Sequence, residues 1–179
     1  MSDVTAIAIN KSKWGPGPWQ DEPDRLEWKT EAGFPALIIR QRRYGNLCGY
    51  VAVPPGHPWH GKDPHEAEVH GGITHTGECS GGICHTPAPG EPDNVWWLGF
   101  DCAHAWDFQP GAHAADAELF KDRPDLIRPE GPRRGESYRG IAYVKRNCES
   151  LARQAVALRF TVGEQHEYLA IYGDRGGGE

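Results

Sequence analysis

Residues 26–53 read LEWKTEAGFPALIIRQRRYGNLCGYVAV, three apolar-rich runs divided by turn residues. Leu26 to Thr30, Ala36 to Gln41 and Leu47 to Val53 have strand length and are rich in aromatic or β-branched residues. Glu31-Ala32-Gly33 suits a hairpin connection, and Tyr44-Gly45-Asn46 suits a turn. Consecutive runs this close together pair as neighbours, so the stretch predicts an antiparallel meander.

Working outward, Val4 to Ile9 alternates weakly and reads as a first strand. Trp14-Gly15-Pro16-Gly17-Pro18-Trp19 is a shaped loop, because Pro fixes φ and Gly opens unusual φ. Pro54 to Glu68 and Gly71 to Pro92 are loop-like, with short strands expected at Val69 to His75 and Val95 to Phe100. A short helix is expected near Ala114 to Phe120. The clearest element is a helix from Tyr138 to Leu158. Tyr138, Ile141, Val144, Cys148, Leu151, Ala152, Ala155 and Leu158 recur there at three- and four-residue steps. Ser137 is the expected N-cap, with Glu136 beside the positive end of the dipole. A last strand, Glu167 to Tyr172, precedes a Gly-rich tail over about 174–179. The expected fold is a single α+β domain over 1–179. It has a mainly antiparallel sheet, one long C-terminal amphipathic helix and long Gly/Pro-rich loops.

Bulk properties narrow the function. The 179 residues carry a net charge of −6, which argues against a duplex nucleic-acid partner. Arg40-Gln41-Arg42-Arg43 and Arg133-Arg134 are local exceptions, read as solvated faces or partner contacts, and two or three Arg can also serve a small anionic molecule locally. No apolar run approaches the roughly 20 residues of a membrane span, and the first ten residues lack a signal-peptide pattern. The expected setting is cytoplasmic. Five Cys, an odd number, point to free thiols or metal binding and away from disulfides. Seven Trp are expected mainly to fill the core.

Chemistry gathers between His57 and Asp107, which hold seven of the nine His together with Cys79, Cys84, Cys102, Asp101 and Asp107. These are the donor types of a transition-metal site. In Asp101-Cys102-Ala103-His104-Ala105-Trp106-Asp107, a turn from strand into helix at Phe100 puts Asp101, His104 and Asp107 on one helical face. The plainer reading makes Asp101 an N-cap and His104 its hydrogen-bonded neighbour. In His70-Gly71-Gly72-Ile73-Thr74, paired Gly let backbone approach a ligand, or simply turn the chain. Cys79-x4-Cys84-His85 has the spacing of half a zinc knuckle, with Cys102 and His104 available to complete it. His65-Glu66-Ala67-Glu68-Val69-His70 is not HExxH, since its His are five apart. No nucleophile elbow, P-loop or dinucleotide fingerprint is present. Cys102 with His70 or His104 forms a possible nucleophile–base pair.

The order His70-Gly71-Gly72-Ile73-Thr74, then Trp96-Trp97-Leu98-Gly99-Phe100-Asp101-Cys102-Ala103-His104, then Asp107 and Pro110, resembles a family of small phage and bacterial proteins of unassigned function. Tyr138-Arg139, Tyr143-Val144, Cys148 and Leu151-Ala152 continue the pattern, as do Gly45 to Val53 and Gly56-His57-Pro58. The resemblance spans about residues 25–155 and implies no activity. It leaves Cys79 to His85 outside the common pattern and favours His70, Asp101, Cys102, His104 and Asp107 as the site.

The leading expectation is a metal-dependent hydrolase of a phosphoester or nucleotide-like molecule. His70, Asp101 and His104 hold a divalent ion, zinc being the candidate. Asp107 or Glu78 orients a water, and Cys102 is a further catalytic candidate. Gly71, Gly72, Thr74 and Trp106 contact substrate. One alternative is a non-catalytic phage-type binder of a nucleotide or host protein, using Trp14, Trp19, Trp59 and Trp106. The other is an interaction domain built on a structural zinc at Cys79, Cys84 and His85.

Overall fold

Arg25–Lys29 (β1), Pro35–Arg40 (β2) and Leu47–Val53 (β3) form the antiparallel meander that residues 26–53 predict. The computed structural model describes residues 8–123, 125–126, 131–132 and 134–158. Two further strands, His75–Gly77 (β4) and Trp96–Asp101 (β5), complete a sheet of order β1-β2-β3-β5-β4, antiparallel throughout. Two helices follow, Pro110–Leu119 (α1) and Ile141–Ala157 (α2). No helix among the described residues is long and apolar enough to cross a membrane. The strands foreseen at Val4 to Ile9 and Glu167 to Tyr172 fall wholly or mostly outside the described residues, and the Gly tail does so entirely.

β3 has a partner on each side and all seven of its residues are buried. Alternation sends Val51 and Val53 to one face, with Ile38, Leu98 and Phe100 beside them. There they meet Val144, Cys148, Leu151, Ala152 and Ala155 of α2. Gly49 makes the close approach possible, since a Cβ there would lie 2.6 Å from Phe100 Cζ and 2.8 Å from Cys148 Sγ. The opposite face carries Leu37, Cys48, Tyr50, Ala52 and Trp97. The long β4–β5 connection lies against that face, with Ile83 in its apolar cluster and His85 edge-on to Trp97.

α2 starts three residues later than its periodicity suggests, and Ser137 does not cap it. The N-cap is Gly140, which makes no side-chain cap bond. The helix end is satisfied from a distance, because Glu22 Oε1 accepts from the Ile141 N–H at 2.9 Å. The same carboxylate receives Arg40 Nη2 at 3.0 Å and the Tyr138 hydroxyl. Arg40, a member of the basic run, is therefore a buried structural cation, also bound to Asp24 at 2.9 Å.

Val69 to Gly72 forms a turn, with β4 starting only at His75. Gly71 and Gly72 both adopt positive φ, +68° and +86°, which ends the extended run. α1 begins at Pro110, four residues before the expected start, because Pro is well suited to the first helical turn. Cys79 and Cys84 are disulfide-bonded, with Cα atoms 4.8 Å apart, so the pair is unavailable as zinc-binding thiolates. Cys48, Cys102 and Cys148 are free and buried. Trp14, Trp19 and Trp59 are core residues, not ligand-facing loops; Trp106 is the exposed Trp among these four.

Candidate metal centre

The chain leaves β5 at Asp101. In an extended strand successive side chains point to opposite faces, so Asp101 and Cys102 part company. Cys102 enters the core beneath α2. Asp101 pairs in register with Cys48 and takes the other face, where one of its oxygens accepts from the Ala103 N–H at 3.0 Å. No helix starts here. A tight turn forms instead, closed by the Asp107 N–H donating to the His104 carbonyl at 2.9 Å. The i,i+3 proximity expected of a helix is thus kept for His104 and Asp107 and lost for Asp101.

Residue 137 holds this turn in place. Ser137 N donates to Trp106 O at 2.9 Å, and Phe108 N donates to Ser137 O at 3.0 Å, a parallel bridge around Asp107. Ser137 therefore positions the site by its backbone, a role its side chain could not announce.

His70 arrives from the turn before β4. Its backbone N–H donates to Asn147 Oδ1 at 3.2 Å. Its ring is held at both nitrogens, Nδ1 at 2.8 Å from the Tyr143 hydroxyl and Nε2 at 2.7 Å from Asp107 Oδ2. Asp107 Oδ2 also accepts from the His104 N–H at 3.1 Å and lies 3.3 Å from His104 Nδ1. The other oxygen, Oδ1, accepts from Arg139 Nε at 2.9 Å. Burial by itself would raise the Asp107 carboxyl. Hydrogen bonds from His70 and Arg139 outweigh it and hold the group below the usual carboxylate range.

Among the described residues, the one group of three or more His, Cys, Asp or Glu able to share an ion is His70, His104 and Asp107, with ligand atoms within 4.8 Å of one another. Two imidazoles and a carboxylate are donors for zinc and related divalent ions. Asp107 thus takes the place that the sequence reading assigned to Asp101. The physical reason is strand alternation, which turns Asp101 away.

The remaining candidates are dispersed or supporting. Glu78 is exposed just after β4 and is not in the gathered set. Cys102 is 2% exposed, and burial, with Asp107 nearby, pushes its thiol pKa up, so the thiolate that attacks substrates is disfavoured. Gly71 packs directly against the His104 ring. Gly72 closes the turn, its N–H donating to Val69 O at 3.0 Å. Thr74 is exposed, and its N–H is spent on Gly99 O at 2.8 Å. Trp106 stacks on the His104 ring, 5.2 Å between centroids and 10° between planes, with about half its surface open.

Three contributors carried no role in the sequence reading: Arg139, Tyr143 and Asn147. Their four-residue spacing is the signal, since it lines one side of a helix and its approach. The Arg139 guanidinium also lies over the Tyr143 ring, 4.8 Å from its centroid. No protein-family model, curated protein or solved structure matches the chain.

Proposed function

We propose that the protein is a metal-dependent hydrolase whose ion is held by His70, His104 and Asp107, acting on a phosphoester or nucleotide-like anion. One observation carries the reading: two imidazole nitrogens and one buried carboxylate oxygen converge within 4.8 Å. Three protein ligands are the number that leaves a coordination position for water. A divalent ion bound there lowers the pKa of its water, so that hydroxide forms near neutral pH.

The surrounding residues suit such a site. Tyr143 fixes the His70 ring from its far nitrogen, as partners of metal-bound imidazoles do. Arg139 orients Asp107 through Oδ1 and leaves Oδ2 to face the two imidazoles. Arg139 and Arg146 both lie over Tyr143, at 4.8 and 6.0 Å, and supply positive charge for an anionic substrate. Trp106 offers an exposed ring on which a base can stack.

The test is elemental analysis of protein purified without chelators or affinity metal, followed by titration with Zn²⁺, Mn²⁺ and Mg²⁺. A stoichiometric ion, lost in Asp107→Asn, with metal-dependent cleavage of an activated phosphodiester, is the expected result. No stoichiometric binding of any of the three ions sinks the proposal.

A second reading has its own support. Asp107 is already satisfied by His70, Arg139 and the His104 N–H, so the cluster holds together as a hydrogen-bonded unit. It then frames Trp106 as the contact of a non-catalytic nucleotide or protein binder. Nucleotide-induced thermal stabilisation that persists in excess chelator, without turnover, favours this second reading.

A further inference from the structure

The sheet face opposite α2 holds a cavity of about 320 Å³, separate from the His70–His104–Asp107 cluster. β3 and β5 build its floor through Cys48, Tyr50 and Asp101, whose partner positions put them on one face. Gly99 leaves the room. A Cβ there would sit 2.4 Å from the Tyr50 ring, and His75 stands edge-on to that ring, 5.6 Å between centroids.

Hydrogen-bonding capacity is left unmet in this wall. Asn46 is only 3% exposed, yet its Oδ1 has no hydrogen-bond partner among the described residues. His75 Nε2 is likewise buried without one. Asp101 spends one oxygen on the Ala103 N–H, and no cation among the described residues pairs with it. Unpaired buried polar atoms cost stability, and native structures keep few of them without a reason. Among the described residues the lining contains no Lys or Arg. Burial lowers the His75 pKa, which favours the neutral form of that ring.

We propose that this cavity binds a small organic cation of the amidinium or guanidinium class. Such a group is flat and positively charged, and it presents several N–H donors in a fixed fork. Asp101 supplies the charge-matched acceptor. Tyr50 and the half-exposed Tyr44 supply aromatic surface for the planar cation. The same chemistry is carried by a free small molecule and by the arginine side chain of a peptide.

The experiment is calorimetric and NMR titration of the full chain with benzamidinium at fixed ionic strength. Neutral benzamide and tetramethylammonium serve as controls, the first lacking charge and the second lacking N–H donors. Saturable one-to-one binding of benzamidinium is expected, with shifts at Asn46, Tyr50, His75 and Asp101, and weaker binding by both controls. Asp101→Asn is expected to weaken it about tenfold or more, the size of one charge-assisted hydrogen bond. Competition by an Ala-Arg-Ala amide supports an arginyl source, and its absence supports a free small cation. Absence of saturable binding overturns the proposal, and so does equal binding of benzamide, a comparison that needs no variant to fold.

Discussion

Gly71 lies directly beneath the imidazole of His104, so close that a Cβ on it would fall 1.9 Å from the His104 ring. The contact joins the turn before β4 to the turn after β5, and with them two of the three metal-ligand candidates. Gly71→Ala adds a methyl where the ring now sits and imposes a residue on a φ of +68°. The expected outcome is a displaced His104 and a loss of metal affinity of about ten- to a hundredfold. The core under α2 is untouched, so the variant stays folded. Isothermal titration with Zn²⁺, beside circular dichroism, checks both halves.

Tyr143→Phe removes only the hydroxyl that faces His70 Nδ1 at 2.8 Å. Ring packing against Arg139 survives. Metal affinity is expected to fall about tenfold, as for other partners that orient a metal-bound imidazole. A competition assay with a chromogenic chelator measures it. Unchanged affinity argues that His70 is oriented by Asp107 and Asn147 alone.

The double replacement of Cys79 and Cys84 by Ser opens a loop whose closing residues are five apart in sequence. On the loop-entropy account the loss is about 2 kcal/mol, modest because the loop is short. Metal content is expected to stay at the wild-type level, since neither sulfur belongs to the His70–His104–Asp107 group. Denaturant melts paired with elemental analysis separate the two effects. A variant that loses its metal returns the thiols to the ligand set.

His57 governs part of the acid sensitivity. It is 4% exposed, its Nε2 is 3.1 Å from Ala155 O, and its Nδ1 accepts from the Trp59 N–H at 3.0 Å. Burial lowers its pKa to about 4. The unfolded chain takes up this proton near the ordinary pKa of about 6.5, whereas the folded chain resists it. Above that pH His57 has no effect on the balance. As pH falls from about 6.5 to 4 the unfolded state binds more protons, and about 3 kcal/mol of stability is lost. Urea melts across this range are expected to show a steeper decline for wild type than for His57→Gln. Parallel profiles would remove His57 from the account.

The meander was legible because its signals are local. Leu47–Val53 matches its expected bounds at both ends, and β1 and β2 shift by a single residue. α2 was legible from its apolar spacing, but its first turn was not. The acid that satisfies its end is Glu22, more than a hundred positions away, where no capping rule looks. The site shows the same division. His70, His104 and Asp107 were visible as residue types of the right chemistry. Their grouping was not, because one step of strand alternation decides which aspartate faces the imidazoles. Sequence spacing treats Asp101 and Asp107 as equivalent neighbours of His104, three positions on either side. Backbone conformation separates them, extended before His104 and turned after it. Arg139 and Tyr143 stood in the motif without a role because their partner lies across the fold.

Among the described residues the strand order leaves β1 and β4 at the sheet margins. β4 is only three residues long. β1 places Arg25, Glu27 and Lys29 at alternate positions, with side chains turned to the face away from α2. Arg25 reaches across to the carbonyls of Gly82 and Cys84. Glu149 of α2 meanwhile takes the Trp28 indole N–H and the Glu31 N–H. One margin is too short and the other too charged to template a strand from a second molecule. The long apolar strands that build the core are thereby kept from becoming a route to aggregation.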